Sequence, residues 1–137
     1  MAELGFRYAF REQWGLSQPL IAEAYARNPA LPSGYRIANF LFYYMRGDYE
    51  RAVHEATQIK ARYVLYGHLA LAAAYGQLGN KDKAAAPLAE LLKIDPHYGD
   101  HVEADLIRRG VSGNMTRVLI SGLAKAGLLV RPTQPNN

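Results

Sequence analysis

Val64-Leu-Tyr-Gly-His-Leu-Ala-Leu-Ala-Ala-Ala-Tyr-Gly-Gln-Leu-Gly-Asn-Lys-Asp-Lys-Ala-Ala-Ala-Pro-Leu-Ala-Glu-Leu-Leu-Lys-Ile-Asp-Pro96 is the stretch that decides the fold. It divides at Gly79-Asn80 into two helical segments, 64–78 and 81–94. His68, Leu71, Ala72 and Tyr75 share one face of the first. Ala84, Leu88 and Leu91 point inward from the second, which stops at Asp95-Pro96. Gly79 gives the backbone freedom to end one helix, and Asn80 can cap the next. The unit is a helix, a glycine turn and a helix.

Working outward, a second unit lies 32 residues upstream. At that offset Tyr43 falls on Tyr75, Gly47 on Gly79, Ala52 on Ala84, Ala56 on Leu88 and Ile59 on Leu91. Asp48 takes the capping place of Asn80. Residues 3–14 and 18–28 read as a further, degenerate pair, with Ser17 and Pro19 marking a helix start and Asn28-Pro29 a stop. Beyond Pro96, a helix over 99–109 ends at Gly110, and Ser112 can cap another over 113–126 that closes at Gly127. That last helix carries Met115, Val118, Leu119, Leu123 and Ala126 on one stripe. The expected organisation is a single domain over 1–130: a degenerate repeat 3–29, repeats 33–63 and 64–97, and capping helices 99–127. Residues 131–137, Arg-Pro-Thr-Gln-Pro-Asn-Asn, are expected to be a disordered tail.

His68-x2-Leu71-Ala72-x2-Tyr75, then Ala84-x3-Leu88, then Pro96, resembles the tetratricopeptide repeat, whose pattern is aromatic-x2-Leu-Gly-x2-Tyr, then Ala-x3-aromatic, then Pro. His stands for the first aromatic and Leu for the second. The upstream unit departs further, with Arg36, Asn39 and Phe40 at the motif positions and no closing proline. Its period of 32 falls short of the family's usual length of about 34. The resemblance implies an all-α fold of antiparallel helix-turn-helix repeats in a superhelix, closed by a C-terminal helix pair. With Gly122-Leu-Ala-Lys-Ala-Gly-Leu128, residues 28–128 also look like the C-terminal repeat region of bacterial adenylate-cyclase-like and winged-helix regulators.

Bulk properties narrow the function. The chain has 137 residues, half of them apolar and a fifth charged, which suits one ordered domain. Having no cysteine, it has no disulfide framework, thiolate site or cysteine nucleophile. No apolar run is long enough to cross a bilayer, and the first residues carry no secretion signal, so a cytoplasmic protein without membrane contact is expected. The net charge of +4 raises nucleic acid as a partner. However, the eleven arginines are interleaved with acids, and only Arg108-Arg109 and Lys60/Arg62 are locally dense, which disfavours it.

Candidate chemistry is sparse. His97 and His101 stand four apart, the spacing of two helical metal ligands, but Pro96 and Gly99 put His97 at the helix start, and no metal site is assigned. His68 reads as a packing residue and His54 as a surface one. Ser17, Ser33 and Ser112 read as caps or turns, and Gly110-Val-Ser-Gly113 lacks the lysine and strand of a phosphate loop. Neither an enzymatic activity nor a cofactor is expected.

The aromatic residues say more. Seven of the ten tyrosines fall between 35 and 75, and the helix over 34–46 is apolar nearly all round. In tetratricopeptide arrays the first helix of each pair lines the concave face. That resemblance places Ile37, Leu41, Tyr44 and Met45 in a partner-binding groove, with Tyr66, Leu69, Ala73 and Gln77 beside them. Helical spacing separately puts 37, 41, 44 and 66, 69, 73 on single stripes. Such a groove suits a protein or peptide partner with an apolar or amphipathic helix. The competing readings are a homodimer through the same surface and a groove filled by the protein's own terminal helices.

Overall fold

At Gly47 and Gly79 the backbone takes φ values of 79° and 73°, a left-handed conformation that costs glycine least. The next amide then bonds back five residues, Asp48 to Tyr43 and Asn80 to Tyr75, at 3.0 and 2.9 Å, which closes the preceding helix. The side chains of Asp48 and Asn80 accept from the N–H groups of Arg51 and Lys83 and so open the following helix. Two residues in sequence thus end one helix and begin another.

The computed structural model describes residues 2–29, 36–59 and 64–131. Eight helices and no strand lie among them: α1 (Ala2–Phe10), α2 (Trp14–Arg27), α3 (Arg36–Met45), α4 (Tyr49–Ala56), α5 (Val64–Gln77), α6 (Lys81–Ile94), α7 (Tyr98–Arg108) and α8 (Gly113–Ala126). The protein is all-α, and consecutive helices pair as hairpins: α1 with α2, α3 with α4, α5 with α6. α5 is the centre of the packing. It touches α8 and α6 most extensively, then α4. Ala52, Ala72, Ala73, Ala74 and Ala84 are fully buried, as close helix approach requires. Ser112 caps α8 by accepting from Met115 N–H, and Gly127 ends it in the left-handed conformation.

Four sequence expectations change. Ser17 and Pro19 do not start a helix, because α2 begins at Trp14 and runs through Pro19 in its second turn. Ser17 is buried, and its hydroxyl donates to the Gly5 carbonyl at 2.8 Å, which ties α2 to α1. α1 ends at Phe10 rather than at 14. Its closing residue is Glu12, at φ 60°, with Gln13 N–H bonded back to Tyr8 as at the glycine turns. Third, α7 is kinked at His101, whose φ of −135° breaks the helix inside its first turn and a half. Last, Arg131 of the expected tail is anchored: its N–H donates to the Gly99 carbonyl at 3.0 Å. Residues 132–137, along with 30–35 and 60–63 of the expected repeats, lie outside the described residues.

A non-glycine left-handed residue costs roughly 1 kcal/mol, and the conformation persists where its surroundings hold it. Here the Glu12 carboxylate accepts from Ser112 Oγ at 2.6 Å and from Asn114 Nδ2 at 3.0 Å, while Ser112 N–H donates to the Phe10 carbonyl. The first hairpin is thereby fastened to the start of α8, a hundred residues later.

Candidate functional site

Of the eight residues expected to line a groove, four lie in α3 and four in α5, and α8 lies along part of the stripe they form. Gly122 makes this approach possible. A Cβ there would meet the Tyr44 hydroxyl and stand 2.6 Å from the Ala73 carbonyl oxygen, and one on Gly76 would collide with the Gly122 carbonyl. Where Gly122 leaves the preceding turn uncovered, Tyr44 Oη donates to the Val118 carbonyl at 2.7 Å. Gln77 Nε2 donates to Tyr44 Oη at 3.0 Å, and Lys125 Nζ donates to Gln77 Oε1 at 2.9 Å. Tyr44 and Ala73 are thus fully buried beneath α8, and Gln77 binds it from the side. Burial pushes the Tyr44 pKa up, partly offset by the Gln77 hydrogen bond. Met45 is half-buried against the core. Tyr44→Phe is expected to cost about 1.5 kcal/mol, because the Val118 link is lost and the Gln77 amide keeps only its weaker contacts. Chemical denaturation would measure it, and a loss below the noise of that method would contradict the link.

Past the end of this contact the helices leave a space open. Ile37, Leu41, Tyr66 and Leu69 line a cavity of about 490 Å³ bounded by α1, α3, α5, α7 and α8. Its most deeply buried walls are Phe40, Leu41, Leu69, Ala70 and Leu119, joined by Leu106 and Val111. Phe6 and Phe10, whose rings lie 4.5 Å apart between centroids and tilted by 55°, are half-buried, as are Ile37 and Tyr66. The exposed wall residues are Arg108 and Arg109, which therefore stand at the mouth.

A buried carboxylate sets those arginines in place. Asp105 is only 7% exposed and saturates both oxygens. Oδ2 accepts from Tyr98 Oη at 2.7 Å and Tyr66 Oη at 2.9 Å, and Oδ1 accepts from Arg108 at 2.9 Å with Arg109 Nε at 3.4 Å. Burial alone would raise the Asp105 pKa. The hydrogen bonds from Tyr98, Tyr66 and Arg108 and the Arg109 charge outweigh it and hold the carboxyl below its ordinary value. Burial first, then the hydrogen bond to Asp105, pushes Tyr66 up to about 12 and Tyr98 further still. The Arg109 guanidinium also lies 4.8 Å over the Tyr66 ring, a cation–π contact.

Sequence reasoning placed four of the cavity's walls. It missed Phe6, Phe10, Phe40, Ala70, Leu106, Val111 and Leu119, and it saw Arg108-Arg109 only as a dense basic pair. The histidine pair separates: His97 lies 4.0 Å from Asp100, whereas His101 Nε2 turns to Asp95 at 2.7 Å. Among the described residues no three metal-ligating side chains converge, and no helix is long and apolar enough to cross a membrane. No protein-family model matches this chain, and comparison with curated proteins and with solved structures finds no significant similarity.

Proposed function

We propose that this chain is an interaction module of helical hairpins, of the tetratricopeptide type that residues 64–96 resemble, and that it holds a partner polypeptide by an apolar anchor seated in the cavity between α1, α3, α5 and α7. The observation that carries this reading is the cavity itself. α8 covers the face at Tyr44, Ala73 and Gln77, yet about 490 Å³ with aromatic and aliphatic walls stays open at the other end. That volume lies within the range of specific binding pockets, and buried aromatic-lined pockets are where interface energy concentrates.

A neutral apolar fluorophore, phenylnaphthylamine, tests the site. It should bind saturably, at one per chain, and peptides selected on the immobilised protein should compete with it. Ala70→Phe fills the cavity from its wall and should abolish both, whereas Leu78→Ser, on an exposed residue that does not line the cavity, should change neither. Binding indifferent to Ala70→Phe would sink the reading. Sedimentation should give a monomer; a dimer that Ala70→Phe dissociates would instead put a second copy in the cavity.

A further inference from the structure

The mouth of the cavity carries more positive charge than it neutralises. Arg108 and Arg109 share one carboxylate, Asp105, so the cluster holds a net charge of about +1 at neutral pH. Asp105 engages one terminal nitrogen of Arg108 and Nε of Arg109, and both oxygens are then fully used. Each guanidinium has about five N–H donors in a fixed fork, so most remain to be satisfied from outside. The side chains are 75% and 51% exposed, which leaves them accessible to a ligand. They are also preorganised, Arg109 by the Tyr66 ring below it and both by Asp105, so binding orders little that is not already ordered. Glu12, an acid of the neighbouring turn, is occupied by Ser112 and Asn114.

Building on the cavity reading above, we propose that the partner segment is acidic and amphipathic: an apolar side chain fills the cavity, and a carboxylate within one helical turn of it pairs with Arg108 and Arg109. The apolar walls exclude water on one side of the pair, so the charge contact there is stronger than at an open surface. Guanidinium forks meet carboxylates bidentately, which fixes the direction in which the segment lies.

Two probes of one shape separate the charge from the cavity. Anilinonaphthalene sulfonate carries an anion on the apolar body that phenylnaphthylamine presents without charge. The sulfonate should bind about tenfold more tightly, as one added charge-assisted contact implies. Raising salt should erode that advantage while leaving the neutral probe unaffected. The double variant Arg108→Gln/Arg109→Gln should abolish the advantage of the sulfonate over the neutral probe, and the neutral probe's residual saturable binding shows in the same measurement that the fold is intact. A capped amphipathic peptide bearing Leu and Glu at helical spacing should displace the sulfonate, and its Gln counterpart should displace it at least tenfold less well. If neither probe binds, the cavity reading itself fails. If both bind equally, or the advantage ignores salt and the arginines, the cavity stands and the acidic partner is overturned. Displacement by decanoate but by neither peptide would assign the site to a small amphiphile and overturn the polypeptide.

Discussion

Replacing Gly122 with alanine is expected to destabilise the protein by about 3 kcal/mol, although alanine is the better helix former by about 1 kcal/mol. The sign is decided by contact. The new methyl would meet the Tyr44 hydroxyl and lie 2.6 Å from the Ala73 carbonyl oxygen, and a helix backbone cannot yield as a side chain can. α8 would have to withdraw from α5 and lose the Tyr44–Val118 and Gln77 hydrogen bonds with it. Gly15 provides the opposite case on the same chain. It lies in α2, and a Cβ added there would meet no atom within 4 Å, so Gly15→Ala should be neutral or stabilise by a few tenths of a kcal/mol. Thermal and denaturant unfolding of the two variants would compare them directly. A Gly122→Ala protein as stable as the parent would remove the close contact of α5 and α8 from the account.

Asp105→Ala should cost about 3 kcal/mol, a fall in Tm of about 10 °C for a domain of this size. The substitution strips the partner from two tyrosine hydroxyls and leaves Arg108 and Arg109 adjacent without a counter-charge. Because the two arginines can turn to water, the loss sits at the low end for a broken buried cluster. A pH series checks the origin. The folded carboxyl titrates below its unfolded value of 3.8, so its contribution is complete above that pH and is lost as pH falls through the folded value. The difference between parent and variant should therefore shrink in acid below that point. Tyr66, raised from 10.0 to about 12, acts in the opposite direction: its contribution is complete below 10.0 and is lost as pH rises through the folded value. A parent–variant gap that stays flat from neutral pH into acid would show that the Asp105 charge does not hold the cluster.

The features legible in the sequence are those settled within a few residues. Gly47, Gly79, Gly110 and Gly127 end helices where the periodicity breaks, and Asp48, Asn80 and Ser112 cap the helices that follow. The expected spans 81–94 and 113–126 coincide with α6 and α8, and α5 stops one residue short of its expected end at 78. Distant contacts decided the rest. Ser17 looks like a cap, but a carbonyl twelve residues away takes its hydroxyl. Glu12 holds a glycine-like turn because Ser112 and Asn114 reach it from the far end of the chain.

The candidate site divides along the same line. Helical spacing gathered Ile37, Leu41, Tyr66 and Leu69 onto inward stripes, and all four line the cavity. Spacing within a helix does not say which other helix crosses that wall, and α8 does so at Tyr44, Ala73 and Gln77. The signal was Gly122, a small residue amid the apolar stripe of an otherwise good helix, with Gly76 facing it. Phe6 and Phe10 join the cavity from α1, whose closing turn at Glu12 is fastened to the start of α8, which no local pattern encodes.

Native-state hydrogen exchange on α5 and α8, followed through low concentrations of denaturant, tests the central claim most directly: that α8 is packed permanently against α5 over Tyr44, Ala73 and Gln77 and leaves a cavity open beyond them. Amides of Leu119–Ala126 and of Leu69–Gly76 should exchange through the same global unfolding event, with the same free energy and denaturant dependence. Exchange of α8 through a separate opening of lower free energy, with α5 still protected, would contradict it and return the whole stripe from Ile37 to Gln77 to the role of an open groove.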